Sequence, residues 1–270
     1  MNDRPSRRWR PTPLISAALI LHPGALAACL SWPQSWPWAL GSVVISHLAL
    51  TAAGLWPRSR LLGPNLTRLP PRSIARGEIA LTIDDGPEPA VTPAVLDLLD
   101  RHGARASFFC IGERAAAYPD LIAEIVRRGH AVENHSHHHR HHFSLFGPRR
   151  IHRELAEAQA QIGVLAGSPP HFFRAPAGLR NPFLEPVLAG LGLQLASWTR
   201  RGFDTRESRP EKVLARLTRN LAAGDILLLH DGHCARTTEK RRVILEVLPP
   251  LLDAIRAAGL RPVTLRQALQ

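Results

Sequence analysis

The sequence predicts an α/β fold, parallel strands wrapped by helices, with an apolar helical hairpin ahead of it at the N-terminus. Three observations carry this prediction. After residue 77, strand-like and helix-like runs alternate at the lengths of βα units. The chemically reactive residues gather where the strand-like runs end, which is where such folds build their sites. Ahead of residue 63 lie two uncharged, mostly apolar stretches, each close to the ~20 residues a helix needs to cross hydrocarbon.

The hairpin comes first in the chain, within a membrane segment assigned to residues 1–62. Its helices are expected over 13–32 and 38–56, the first weakened by His22 and Pro23 and the second by His47. Proline is tolerated in membrane helices more often than in soluble ones. Between them "SWPQSWPW" is short, uncharged and tryptophan-rich, as an interfacial turn should be. Arg4, Arg7, Arg8 and Arg10 precede the pair, Arg58, Arg60, Arg68, Arg72 and Arg76 follow it, and none lies between. The positive-inside rule then places both flanks in the cytoplasm. Two other readings stand beside this one. Residues 1–28 could form a cleaved signal peptide, since "LAAC" ending at Cys29 resembles a lipoprotein box, although the second apolar stretch fits that poorly. Alternatively a single segment spans, and the rest of the protein faces outward.

The charge distribution belongs with the hairpin. Net charge is +12, yet residues 1–77 hold nine arginines against Asp3 alone, so +8 of it lies there. The other 193 residues carry only +4, which argues for anionic lipid as the partner and against nucleic acid. Cys29, Cys110 and Cys234 match no zinc-ribbon or redox spacing and read as small hydrophobes. "GPNLTRLPPRS" begins a linker over 63–77, and its Asn65-Leu66-Thr67 sequon is taken as coincidence.

From residue 78 the elements follow in order. "EIALTI" is a strand, residues 91–103 a helix stopped by Gly103, "ASFFCI" a strand, 118–130 a helix, and "AVEN" a strand. A long amphipathic helix over 148–166 leads into "HFFRAP". Then come a helix near 182–190, the strand "LQLASWT", a helix at 210–223 and the strand "DILLLH". Residues 242–259 are helical but interrupted by Pro249 and Pro250, and "RPVTL" is the last strand. Periodicity alone leaves a barrel and a doubly wound sheet both open.

Four strand ends carry polar motifs: "DDGP", "NHSHHH", "RAPAG" and "HDGH". An Asp-Asp-Gly turn by itself is common on protein surfaces. With His135 and His139 four residues apart, however, one of Asp84 and Asp85 completes an Asp-His-His set. Three protein ligands with an open position suit a hydrolytic divalent ion. The other aspartate is then free as a general base, and His230 at the end of an apolar strand suits a general acid.

At these residues the sequence resembles the polysaccharide deacetylases of carbohydrate esterase family 4. Five motifs occur in order over about residues 78–268: "TIDDGP", "HSHHH", "RAPAG", the looser "SWTRRGFD", and "LLLHD". The resemblance implies a distorted (β/α) barrel over residues 78–270 and a role for each matched position. Asp84 is the implied base for the attacking water, with Arg174 pairing it. Asp85, His135 and His139 are the implied metal ligands, for one zinc ion, with cobalt, nickel or manganese as alternatives. His230 is the implied acid toward the leaving amine, tuned by Asp204, and the main-chain N–H of Ala177 is the implied oxyanion donor. His137, His138, His141 and His142 are then loop residues that line the cleft rim or bind stray metal.

The departures from the family pattern bear on substrate. Ile83 stands where Phe is usual, Ala177 where Tyr is common and Thr205 where Trp is frequent. Trp198 and Tyr118 are the only tryptophan and tyrosine after residue 77. Sugar polymers are usually gripped by aromatic faces, so an acylated amino sugar carried by a lipid fits better than chitin or peptidoglycan. The expectation is a deacetylase on the bacterial inner membrane, catalytic domain facing the cytoplasm, with a periplasmic face as the alternative. Deformylation of a lipid-linked amino sugar is the enzymatic alternative. A pseudoenzyme or a metal-binding membrane protein is the non-enzymatic one.

Overall fold

Residues 6–270 are described by a computed structural model; Arg4, one of the arginines used for topology, lies outside them. The chain opens on two long helices, α1 (Pro13–Ser31) and α2 (Trp36–Leu55), both long and apolar enough to cross a membrane, which also suits an anchor or a signal sequence. Thr12 caps α1 by accepting from the Ile15 N–H, and Pro13 occupies the first helical position, where its missing N–H costs nothing. Only the base of the hairpin is covered: Ile15, Ala18, Leu50 and Ala53 pack with Leu62. Toward the tip Leu30 is 76% exposed and Trp38 84%.

That base is docked on the rest of the protein. Arg7 pairs with Glu185 at 2.5 Å, and the Arg7 N–H donates to the Ala189 carbonyl. The Arg180 N–H donates to the Gly54 carbonyl, in a contact so close that a Cβ on Gly54 would strike the Arg180 carbonyl. Residues 63–77, expected as a linker, run along the sheet. Leu66 bridges Ala196, the Leu69 N–H donates to Gly224, and the short α3 (Pro71–Ala75) packs Ser73 against Ala268.

The sheet then builds through β1 (Glu78–Gly86), α4 (Thr92–Arg101), β2 (Ser107–Cys110), α5 (Gly112–Ala117), α6 (Pro119–Arg127) and β3 (Ala131–Asn134). Next come α7 (Pro148–Leu165), β4 (Phe172–Phe173), α8 (Leu184–Gly190), β5 (Gln194–Leu195) and β6 (Arg200–Arg201). The chain closes with α9 (Pro210–Thr218), β7 (Ile226–His230), α10 (Val243–Ala257), β8 (Arg261–Val263) and α11 (Leu265–Ala268). All eight strands pair in parallel, in the order β5-β4-β3-β2-β1-β7-β6, with β8 on the start of β1. Among the described residues β5 and β6 do not pair with each other, so this is a distorted (β/α) barrel left open on one side.

Burial follows strand parity. On β1, Ile79, Leu81 and Ile83 join the large core beneath the helices, while Ala80 joins a second core inside the barrel with Phe109, Phe172 and Trp198. Thr82 and Asp84 share the parity of Ala80 and so face inward. In two places the chain departs from expectation. Helix α10 runs unbroken through Pro249 and Pro250. Two lost helical hydrogen bonds are outweighed there by a buried stripe from Val243 to Ile255 that packs on the core. Of the expected strand "LQLASWT" only Gln194–Leu195 is strand, β5, and the two-residue β6 follows it at Arg200–Arg201.

Candidate active site

The site sits where β1, β3, β4 and β7 end. Register on β1 places Asp84 opposite His230 of β7 and opposite Phe109 of β2. The next register pair with β2 is Gly86 with Cys110, so Asp85 is an extra, unpaired residue, a bulge with φ 76°. Neighbours on a regular strand point to opposite faces. The bulge cancels that alternation, and both carboxylates line one cleft of about 270 Å³.

His135 and His139 reach the same point from the loop after β3. Their Nε2 atoms each lie 3.3 Å from Asp85 Oδ1. The donors fit a divalent ion. Asp85 Oδ1 is buried without a hydrogen-bond partner, which is costly for a carboxylate oxygen unless a cation meets it. His135 Nδ1 donates to the Arg174 carbonyl at 2.8 Å, leaving the Nε2 lone pair toward Asp85, as a metal ligand requires. Burial, helped by the neighbouring His135, pushes His139 down to about 3, so its ring is neutral. Burial works to raise the Asp85 carboxyl, but the facing imidazoles of His135 and His233 hold it well below the usual carboxylate range.

Behind Asp84 stands Arg174, fully buried. Its Nη1 donates to Asp84 Oδ1 at 2.6 Å and to Thr82 Oγ1 at 2.9 Å, while Nε and Nη2 donate to the Ala196 and Ser197 carbonyls. The guanidinium carbon lies 4.1 Å from the centre of the Phe109 ring. Burial lowers the Arg174 pKa, and the adjoining Asp84 charge offsets only part of that fall. Replacing Arg174 by methionine leaves the buried Asp84 without its partner, and we expect a loss of about 3–5 kcal/mol, read from the denaturant midpoint at constant slope.

On the opposite wall His230 Nδ1 bonds Asp204 Oδ1 at 2.9 Å, and Asp204 Oδ2 accepts the His230 backbone N–H at 2.7 Å. Burial acts to lower the imidazole pKa, but the Asp204 carboxylate overrides it and raises it to about 9. Ala177 lines the cleft in the left-handed conformation, φ 55°, and Gly178 follows at φ 74°. Any side chain at Gly178 would meet the Trp198 ring at 2.6 Å and Pro57 at 2.8 Å, so the loop lies flat against the hairpin's exit. The structure thus draws all eight predicted residues to one place, six lining the cleft and Arg174 and Asp204 supporting them from behind.

Two neighbours were not anticipated. His233 Nδ1 lies 3.0 Å from Asp85 Oδ2, and its ring stacks on His139. It closes the "HDGH" run, in which the sequence reading gave a role to His230 alone. Asp231, fully buried, accepts from Thr92 Oγ1 at 2.6 Å and lies where a Cβ on Gly86 would fall, bracing the turn after the bulge. The rest of the histidine run divides: His141 lines the cleft, while His138 turns away toward Glu154 on α7.

The chain has relatives both in sequence and in fold. Residues 73–196 match the family described as polysaccharide deacetylase. A peptidoglycan-N-acetylglucosamine deacetylase of Bacillus cereus is 31% identical over 194 residues, spanning 71% of this chain and 88% of that one. A chitooligosaccharide deacetylase of Sinorhizobium fredii is 36% identical over 172 residues, 62% of this chain and 78% of its own. A family 4 carbohydrate esterase from Streptomyces lividans, solved with acetate, superposes with a TM-score of 0.62 at 29% identity, over 69% of this chain and 91% of that one.

Proposed function

Because the chain belongs to the polysaccharide deacetylase family, we propose that it hydrolyses the N-acetyl amide of an amino sugar carried by a lipid at the membrane. One observation carries the chemical part: the Asp85-His135-His139 set lies in one cleft with the Asp84–Arg174 and His230–Asp204 pairs. In this reading residues 78–270 are the catalytic unit.

Asp85, His135 and His139 would hold one divalent ion, zinc by the two-imidazole, one-carboxylate donor set, with cobalt, nickel or manganese as substitutes. Such an ion would supply Lewis acidity toward the amide carbonyl and toward water. Asp84, oriented by Arg174, takes the proton of the attacking water. The Ala177 N–H donates to the oxygen on which charge develops. His230, kept protonated by Asp204, hands its proton to the sugar nitrogen as the C–N bond breaks, leaving acetate and a free amine.

Three observations support a lipid carrier. Trp198 is the cleft's sole tryptophan or tyrosine, and Arg201 and Arg206 add two guanidinium groups to its wall, which suits the phosphate of a carrier better than a long neutral sugar chain. The hairpin's base docks on the loop that bears Ala177, and its exposed apolar surface suits lipid. A cavity of about 450 Å³ between the hairpin and the exposed Leu145 and Phe183 continues that surface. Arginines on both flanks and none between the helices favour a cytoplasmic face.

The test presents the full chain, in lipid nanodiscs and loaded with zinc, with a polyprenyl-phosphate-linked N-acetylated amino sugar and with soluble chitooligosaccharide, and measures acetate and formate. We expect acetate, faster from the lipid-linked substrate. Faster release from the soluble oligosaccharide removes the lipid carrier from the reading, formate in place of acetate makes the enzyme a deformylase, and neither product overturns hydrolysis.

A further inference from the structure

Half of the histidine run does not belong to the cleft. We infer that His137, His138 and Glu157 form a second divalent-cation site, on the outer side of the loop that carries His135 and His139. One ligand atom from each of the three lies within 4.8 Å of the others. His137 and His138 come from the loop after β3, and Glu157 comes from the middle of α7, so an ion there joins loop to helix.

The surroundings prepare these side chains for a cation. Glu154, one turn before Glu157 and 94% buried by its 6% exposure, takes the His138 backbone N–H on Oε2 at 3.0 Å and meets His138 Nδ1 with Oε1 at 3.0 Å. A carboxylate on Nδ1 makes that nitrogen the donor and leaves the Nε2 lone pair outward, the tautomer and the carboxylate–histidine support that metal ligands use. His137 Nδ1 is buried without a hydrogen-bond partner, in a space that exists because residue 112 is glycine; a Cβ there would lie 2.6 Å from that nitrogen. The loop backbone is pinned beneath both rings. The Gly112 N–H donates to the Ser136 carbonyl and the Glu113 N–H to the His137 carbonyl. Two nitrogens and one exposed carboxylate, with open positions for water, suit zinc, nickel or copper rather than magnesium or calcium.

The site has a physical task in the loop. Ser136 and His139 both hold left-handed backbone, φ 64° and φ 50°, a conformation that costs a residue with a Cβ about 1–2 kcal/mol. An ion tying residues 137 and 138 to α7 offsets that cost, and so steadies His135 and His139 without touching substrate.

The experiment counts zinc by atomic emission on the full chain in detergent, after loading and dialysis, in four forms. Wild type is expected to hold about two ions, and Asp85→Ala and Glu157→Gln about one each. Asp85→Ala/Glu157→Gln is expected to hold none. Glu157 is exposed, so its replacement leaves the fold intact. Glu154→Gln keeps the shape of its side chain and is expected to weaken the second ion about 10–100-fold, read by chelator competition. In the Asp85→Ala background zinc should raise the melting temperature, and adding Glu157→Gln should remove that rise. Only about one ion in wild type, or a second ion kept by Glu157→Gln but lost by His141→Ala/His142→Ala, overturns the assignment. Because the ion at Asp85 is counted separately, failure here leaves the hydrolase reading standing, and the reverse also holds.

Discussion

Asp85→Ala is expected to cost at least roughly a thousandfold in kcat/KM, because Lewis-acid stabilisation is worth several kcal/mol and each 1.36 kcal/mol is tenfold. The side chain is the shared neighbour of both histidines, 3.3 Å from each Nε2, and its Oδ1 has no other partner. Removing it leaves two imidazoles, that of His139 pushed down to about 3, which cannot by themselves hold a hydrolytic ion tightly. Thermal unfolding separates this from a folding defect. The apo variant should still unfold in one cooperative transition, while the zinc-dependent gain at this site disappears. A variant that keeps most of its acetate release would withdraw Asp85 from the ligand set.

Asp204→Asn should move the alkaline limb of the pH–rate profile to lower pH by at least about one unit. In wild type the imidazole is raised to about 9 by Asp204 against burial, so the proton needed by the leaving nitrogen is available up to that pH and lost above it. Asparagine keeps the shape but removes the charge, so burial prevails and the pKa falls. Linkage follows with the same sign. The group's folded pKa lies above its ordinary 6.5, so the pair's contribution to stability is complete below that value and fades as pH rises through about 9. The variant should lose that contribution at neutral pH. An unchanged alkaline limb would assign the proton to another group. His230→Gln, which removes the acid outright, should cost about 10²–10⁴ in rate with a flattened limb.

Much of this protein was readable along the chain. Apolar periodicity located β1, α4, β3, α7 and β7 because each buries a face, and burial must be written in side chains. Uncharged runs of membrane length located α1 and α2 for the same reason. Motif identity singled out Asp84, Asp85, His135, His139, Arg174, Ala177, Asp204 and His230, since the chemistry needs particular functional groups at strand ends. Where one contact was set by a distant segment, the reading failed. The helix α10 survives Pro249 and Pro250 through packing on the core.

The sequence by itself determined which groups the protein has and on which elements they lie: the carboxylates, the imidazoles, the alternation of strand and helix, and the apolar hairpin. Only the tertiary structure decided which way they point. The bulge at Asp85 turns two adjacent carboxylates into one cleft, against strand parity, because β1 carries one residue more than β2 across that step. His233 meets Asp85, and the histidine run divides between the cleft and α7, because β7 and α7 pack where local sequence cannot specify. Local preference reaches a few residues along the chain, whereas these directions come from packing between segments far apart in it.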